Sequence, residues 1–124
     1  MPETLEKSAP PHNREAEIAV LGSMLAEKES MLRAMDMLRE EDFYEAAYRE
    51  IFAAIRDLHD KNVTADVITV GEHLQRKERL QAVGGQSFLF QLTHLVPSAL
   101  HVEHYAAIVR EKSILRDLIR TATE

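Results

Sequence analysis

The last 27 residues of the chain, 98–124, contain neither glycine nor proline. These two residue types interrupt helices most readily, so an uninterrupted run of this length predicts one continuous α-helix. At a rise of ~1.5 Å per residue, such a helix would extend for roughly 40 Å. Because this is long for a chain of 124 residues, the sequence predicts a small folded body that carries a long terminal helix.

Apolar residues recur along this segment with the heptad-like spacing of a helix that packs against a partner helix. The seam consists of Tyr105, Ile108, Leu115, Ile119 and Ala122, and Lys112 interrupts it. No partner helix follows, and the sequence stops at Glu124 without a Gly, Asn or Pro stop signal. We therefore expect residues 98–124 to be the truncated first half of a helical hairpin.

Shorter amphipathic helices are expected over residues 13–97, after a flexible polar tail at residues 1–12. Asn13 and Asp66 are suited to cap helices, and the pair Gly84 and Gly85 breaks the chain before another short helix that Pro97 closes. The clearest periodicity has apolar residues three and four positions apart, at Tyr48, Ile51, Phe52, Ile55 and Leu58. A second helix is expected from about Ser30, with Leu32, Met35 and Leu38 on its apolar face.

The segment 64–70 is rich in β-branched residues, but the sequence offers no strand that could pair with it. One strand cannot form a sheet. The predicted fold class is therefore all-α, with a compact helical globular subdomain followed by the long C-terminal helix.

Charge and composition limit the classes of partner. Residues 1–60 carry a net charge of −7 and residues 61–124 a net charge of +1, and the pI is about 5.5. Proteins that bind nucleic acid usually present a basic stripe on their surface. Here the one close group of basic residues in the sequence is Arg76, Lys77 and Arg79. The absence of cysteine fits a reducing cytoplasm, and no apolar run approaches the ~20 residues that span a membrane.

The sequence holds no recognisable catalytic, cofactor or metal site. His101 and His104 lie three positions apart but lack further ligands at a suitable spacing. The acidic group Glu40, Glu41, Asp42 and Glu45 is read as solvated carboxylates near a helix start rather than as a cation site. No phosphate-binding glycine motif occurs. These observations favour a surface that binds other proteins.

An ordered series of short motifs covers nearly the whole chain from residue 10 onward. It comprises Pro10–Glu17, Ala19–Gly22, Asp42–Tyr44, Ile51–Phe52, Asp66 with Thr69–Val70, Gly84–Gly85 and Tyr105–Lys112. Each motif is weak alone, but their order and intervals together resemble the amino-terminal domain of DnaB-type bacterial replicative DNA helicases. Residues 115–123 also resemble the first hairpin helix of that family.

The resemblance implies a non-catalytic collar domain of a ring-shaped hexameric helicase. Collar domains of this family pair through their hairpins, dock the helicase-binding domain of primase, and can help to receive the helicase loader. ATP and Mg²⁺ binding and DNA unwinding belong to a further ATPase domain, so DNA would be engaged only through the whole protein.

The resemblance also implies which residues take part in binding, because they match positions of the family's domain. We predict that Tyr105, Ile108, Leu115 and Ile119 mediate self-association, and that Glu15, Phe88 and Ile119 contribute to primase binding. Phe88 is equally well read as a core aromatic, and Ile119 as a contact of the hairpin alone. Two alternatives remain: a free-standing helical adaptor, such as the helicase-binding domain of a primase, and a small enzyme or metal protein.

Overall fold

A computed structural model describes residues 9–96 and 101–123. Over these ranges the chain forms six α-helices and one 3₁₀ turn, and no strand. The helices are α1 (Arg14–Ala26), α2 (Lys28–Met37), α3 (Ala46–Asp60), α4 (Val67–Arg76), α5 (Gly85–His94) and α6 (Val102–Thr123), and the 3₁₀ turn is Glu40–Asp42. The predicted all-α fold class is confirmed.

Two helix starts follow directly from the sequence. The Asn13 side chain accepts a hydrogen bond from the backbone N–H of Ala16 at 2.9 Å, as the cap of α1. At α4, Asp66 and Thr69 cap each other: the Asp66 carboxylate accepts from the Thr69 N–H, and the Thr69 hydroxyl accepts from the Asp66 N–H, both at 2.9 Å. These caps satisfy amide groups that have no partner within the helix.

The core forms around α1 and α3. All five residues of the predicted apolar stripe in α3 are buried, and Ile51, Phe52 and Ile55 are fully enclosed. Helix α1 contacts α2, α3, α5 and α6, which explains why nine of its residues are buried. The apolar stripe of α3 packs against α1, which is buried on nearly all sides. The described residues therefore share one continuous core.

Close helix packing depends on Gly22. A Cβ at this position would lie 2.2 Å from the backbone oxygen of Leu92 and 2.2 Å from Cγ2 of Val96. A side chain at residue 22 would therefore separate α1 from α5. At the start of α5, Gly84 has a φ of +117°, a backbone conformation that side chains rarely adopt.

Several expectations need correction or lie beyond the description. Helix α2 begins at Lys28 rather than near Ser30, and Leu32, expected on its apolar face, is 38% exposed. Leu95 directly follows α5 and is 54% exposed. Pro97, the expected stop, lies outside the described residues, as do residues 1–8 and 98–100. None of the described helices is long and apolar enough to cross a membrane.

Candidate protein-interaction surface

Helix α6 has an inner face that joins it to the body of the protein. Four of its residues, Val102, Ala106, Val109 and Ser113, are almost fully buried. They recur at intervals of four, three and four, and α6 packs on α1 and α2 along this side. Sequence reasoning missed this face because its residues are small, although their spacing was available as a signal.

The first half of the predicted seam does not point freely into solvent. Tyr105 and Ile108 are half-buried and pack against the protein's own core. With Ile18 of α1 and Leu95, they line a groove of about 350 Å³. The protein's own core therefore covers part of these two residues, which were predicted to mediate self-association.

The second half of the seam is exposed. Leu115 is 38% exposed and Ile119 is 50% exposed, and two residues that were not predicted, Ile114 at 43% and Leu118 at 60%, lie beside them on the same helix. We call Ile114, Leu115, Leu118 and Ile119 the distal apolar patch. Clustered apolar side chains on a surface are typical of sites where another protein binds.

A buried carboxylate fixes α6 against the body. Asp42, which is 3% exposed, accepts hydrogen bonds from the Ser113 hydroxyl at 2.7 Å and from the Arg110 guanidinium at 2.9 Å. The backbone N–H of Arg39 donates to its other oxygen at 2.8 Å. Because Asp42 is engaged by a cation and two further donors, it serves as an anchor for α6 and not as a solvated carboxylate.

Arg116 forms a second anchor one turn further along α6. Its guanidinium donates to the backbone oxygens of Pro11 at 2.8 Å and Asp42 at 2.7 Å. The same group lies over the ring of Tyr44, 5.6 Å from the ring centroid, and His12 stacks against that ring at 4.2 Å. Arg116 thus joins α6 to the segment before α1 and to the segment before α3.

Glu17 is a buried carboxylate beneath this anchor. It is 1% exposed and accepts hydrogen bonds from the backbone N–H groups of Tyr44 at 2.9 Å and Glu45 at 3.4 Å, just before α3. Burial raises the pKa of Glu17, while the two N–H donors and nearby Arg116 and His12 act in the opposite direction. Protonation of Glu17 is therefore coupled to folding.

The predicted primase-binding residues lie on three separate helices. Glu15 is exposed at the start of α1 and lines the groove with Tyr105 and Ile108. Phe88 is half-buried on α5, where its ring stacks on Tyr48 with centroids 5.9 Å apart. Ile119 belongs to the distal apolar patch. Neither Phe88 nor Ile119 lines the groove that contains Glu15.

The basic group at the end of α4, Arg76, Lys77 and Arg79, is paired with carboxylates. Arg76 pairs with Glu72, Lys77 with Asp57 at 3.3 Å, and Arg79 with Glu50 at 2.7 Å. The Arg79 guanidinium lowers the pKa of Glu50. Pairing of this kind reduces the positive potential that a phosphate backbone would require.

Within residues 9–96 and 101–123, no three side chains of His, Cys, Asp or Glu are grouped as metal ligands. The His104 ring contacts the edge of Tyr105, at a centroid distance of 5.6 Å. The described residues form an apolar groove, an exposed apolar patch and a helix held by buried polar contacts.

A family model, the DnaB-like helicase N terminal domain, matches residues 9–111. The chain is 44% identical over 123 residues to the replicative DNA helicase DnaB of Geobacillus stearothermophilus. It is 42% identical over 123 residues to the replicative DNA helicase DnaC of Bacillus subtilis. Both alignments cover 99% of this chain but only 27% of the relative, so the chain spans about a quarter of their length.

The fold is similar to a solved structure, the crystal structure of the N-terminal domain of DnaB helicase from Mycobacterium tuberculosis. The TM-score is 0.90 with 38% sequence identity, and the match covers 93% of this chain and 83% of that one. Identity at this level over nearly the whole chain makes the likeness one of sequence as well as of fold.

Proposed function

This chain belongs to the DnaB-like helicase N-terminal domain family, and on that premise we propose that it is the non-catalytic collar of a hexameric replicative DNA helicase. In this proposal the domain self-associates and docks primase, and it helps to receive a loader. ATP hydrolysis and DNA unwinding belong to the part of the helicase that lies beyond this domain.

The single observation that carries the self-association proposal is the distal apolar patch. Its four side chains are 38% to 60% exposed on one rigid helix that Asp42 and Arg116 hold in place. Burial of one such side chain by a second molecule contributes roughly 1–3 kcal/mol. Tyr105 and Ile108 would extend the contact only along their uncovered sides.

Primase docking is proposed at two places. The first is the groove beside Glu15, which combines apolar walls with a carboxylate at its edge. A segment that presents an apolar side chain next to a basic one matches this chemistry. The second is the distal apolar patch through Ile119, and Phe88 would contribute from α5. The negative charge of residues 1–60 fits a basic protein partner better than DNA.

Ile119→Asp tests the self-association proposal, because it places a charge on the patch without removing a core residue. We expect the dissociation constant of the self-associated form to rise by roughly tenfold or more. Sedimentation equilibrium over a range of concentrations measures this change. Ile68→Asp is the matched control, since Ile68 is 62% exposed on α4, away from the patch.

The same proteins, together with Glu15→Gln, can be titrated with the helicase-binding domain of the cognate primase. The proposal expects Glu15→Gln to weaken primase binding while leaving sedimentation of the free domain unchanged. Unaltered sedimentation of Ile119→Asp, or equal losses in Ile119→Asp and Ile68→Asp, would contradict the role of the distal apolar patch.

A further inference from the structure

A cleft of about 680 Å³ lies where α6 meets the end of α2, the 3₁₀ turn and α3. Five arginines line it: Arg39, Arg56, Arg110, Arg116 and Arg120. Four carboxylates also line it: Asp36, Glu41, Asp42 and Asp117. In a chain of net charge −6, one cleft therefore collects a third of the 15 basic side chains.

Two of these arginines are neutralised within the cleft. Arg110 pairs with Asp42 at 2.9 Å, and Arg120 pairs with Asp117. The other three, Arg39, Arg56 and Arg116, have no carboxylate within ion-pair distance in the part of the chain that the structure describes. The basic group at the end of α4 is different, because each of its side chains has a carboxylate partner.

Backbone oxygens, not carboxylates, hold two of the three unpaired arginines. Arg116 donates to the oxygens of Pro11 and Asp42 at 2.8 and 2.7 Å. Arg56 donates to the oxygens of Met35 and Leu38 at 3.4 and 3.2 Å, at the end of α2. A carbonyl dipole orients a guanidinium but does not cancel its charge, so the cleft keeps fixed positive groups. Opposing negative charge comes from Asp36 and Glu41 in the cleft and from Glu17 near Arg116.

The same two guanidinium groups also make cation–π contacts with aromatic rings. Arg56 lies 5.1 Å from the centroid of Phe52, and Arg116 lies 5.6 Å from the centroid of Tyr44. These contacts restrict the side chains before any ligand arrives, which lowers the entropy cost of binding. They also cover one face of each ring, so the cleft provides positive forks and not a surface on which a base could stack.

We propose that this cleft binds a compact oxyanion that carries at least two negative charges. Guanidinium groups present paired N–H donors that match the oxygens of phosphoryl and carboxylate groups, and a multivalent anion could contact more than one fork. Nucleic acid fits less well, because the protein is acidic and the site is a short cleft and not a stripe. None of the four patch residues lines this cleft, although Arg116, Asp117 and Arg120 lie on the same stretch of α6.

Calorimetric titration at low ionic strength tests the proposal. The probes are inorganic pyrophosphate and citrate, which distinguish a phosphoryl from a carboxylate source of the same chemistry. We expect one molecule of at least one probe to bind per chain, with an affinity that falls as salt is added. Backbone amide shifts in the NMR spectrum should move around Arg39 and Ser113.

Arginine variants locate the site. Arg39→Gln and Arg56→Gln should each weaken binding by roughly tenfold, because each removes a charge-assisted contact. Arg56→Lys should restore part of the affinity, since it retains the charge but not the fork. The matched control is Arg76→Gln, which removes the same charge from a side chain that is 71% exposed on α4. Thermal melts of every variant separate lost binding from lost folding.

Each outcome of these binding experiments either supports or contradicts the proposed site. Binding that is lost in Arg39→Gln or Arg56→Gln, in folded protein, and retained in Arg76→Gln supports the cleft, with either probe. Failure of both probes to bind at millimolar concentration and low salt overturns the proposal. So does binding that all three variants weaken equally, because that pattern reports only the overall charge of the protein.

Discussion

Truncation of Asp42 to alanine is the most demanding test of how α6 is attached. The carboxylate is 3% exposed and accepts from Ser113, Arg110 and the backbone of Arg39. Its removal leaves the hydroxyl of Ser113, itself 4% exposed, without its partner. It also leaves the positive charge of Arg110 unpaired.

The magnitude follows from the surroundings of each bond. A hydrogen bond to a charged group contributes about 1.5–3 kcal/mol, and the bonds from Ser113 and the Arg39 backbone are of this kind. The Arg110 side chain is 50% exposed, so its ion pair adds at most about 1 kcal/mol. Relief of the desolvation cost of the carboxylate offsets part of the sum. We expect Asp42→Ala to lower the free energy of unfolding by about 3 kcal/mol.

Urea denaturation followed by circular dichroism measures this loss, which corresponds to a fall in melting temperature of about 10 °C for a domain of this size. Ser113→Ala should cost about 1 kcal/mol and Arg110→Gln less than that. Asp36→Ala is the control, because Asp36 is an exposed carboxylate that lines the same cleft. A loss below about 1 kcal/mol for Asp42→Ala, or one no larger than that of the control, would refute the anchoring role.

Two further predictions concern buried positions of α1. Burial raises the pKa of Glu17 above its ordinary value of 4.5. Between pH 4.5 and the raised pKa, the folded state therefore retains a proton that the unfolded state has lost. The free energy of unfolding falls as pH rises through this range. In urea titrations across this window, Glu17→Gln should lack that dependence; an identical pH profile would contradict the coupling. Replacement of glycine by alanine normally stabilises a helix. Gly22→Ala should instead lower the free energy of unfolding by about 1–3 kcal/mol in the same assay, because its Cβ would meet the Leu92 oxygen. A stabilised variant would disprove the close approach.

Local features of the fold could be read from the sequence. The caps at Asn13 and Asp66 and the stripe of α3 depend on residues only three or four positions apart, where helix geometry fixes the relation. The exposure of Leu115 and Ile119 also agrees with the predicted outer edge of α6. Their roles in self-association, and those of Glu15 and Phe88 in primase binding, stay predictions.

Long-range features could not be read in the same way. Asp42 and Ser113 are separated by 71 positions, and nothing local to either residue indicates their contact. The arginines of the cleft come from three separate parts of the chain for the same reason. On α6, the large side chains of Tyr105 and Ile108 suggested the contact edge, whereas the smaller Val102, Ala106 and Val109 form the buried one, because small residues let α6 approach α1 and α2.

The position of Arg116 has a consequence for binding at the patch. It lies within the sequence of the distal apolar patch, directly after Leu115, and its guanidinium holds the segments that lead into α1 and α3. A second molecule bound at the patch would therefore lie next to the side chain that joins α6 to the segments leading into α1 and α3. Binding at the patch and the attachment of α6 to the two helix entrances thus share one short stretch of α6, residues 114–119.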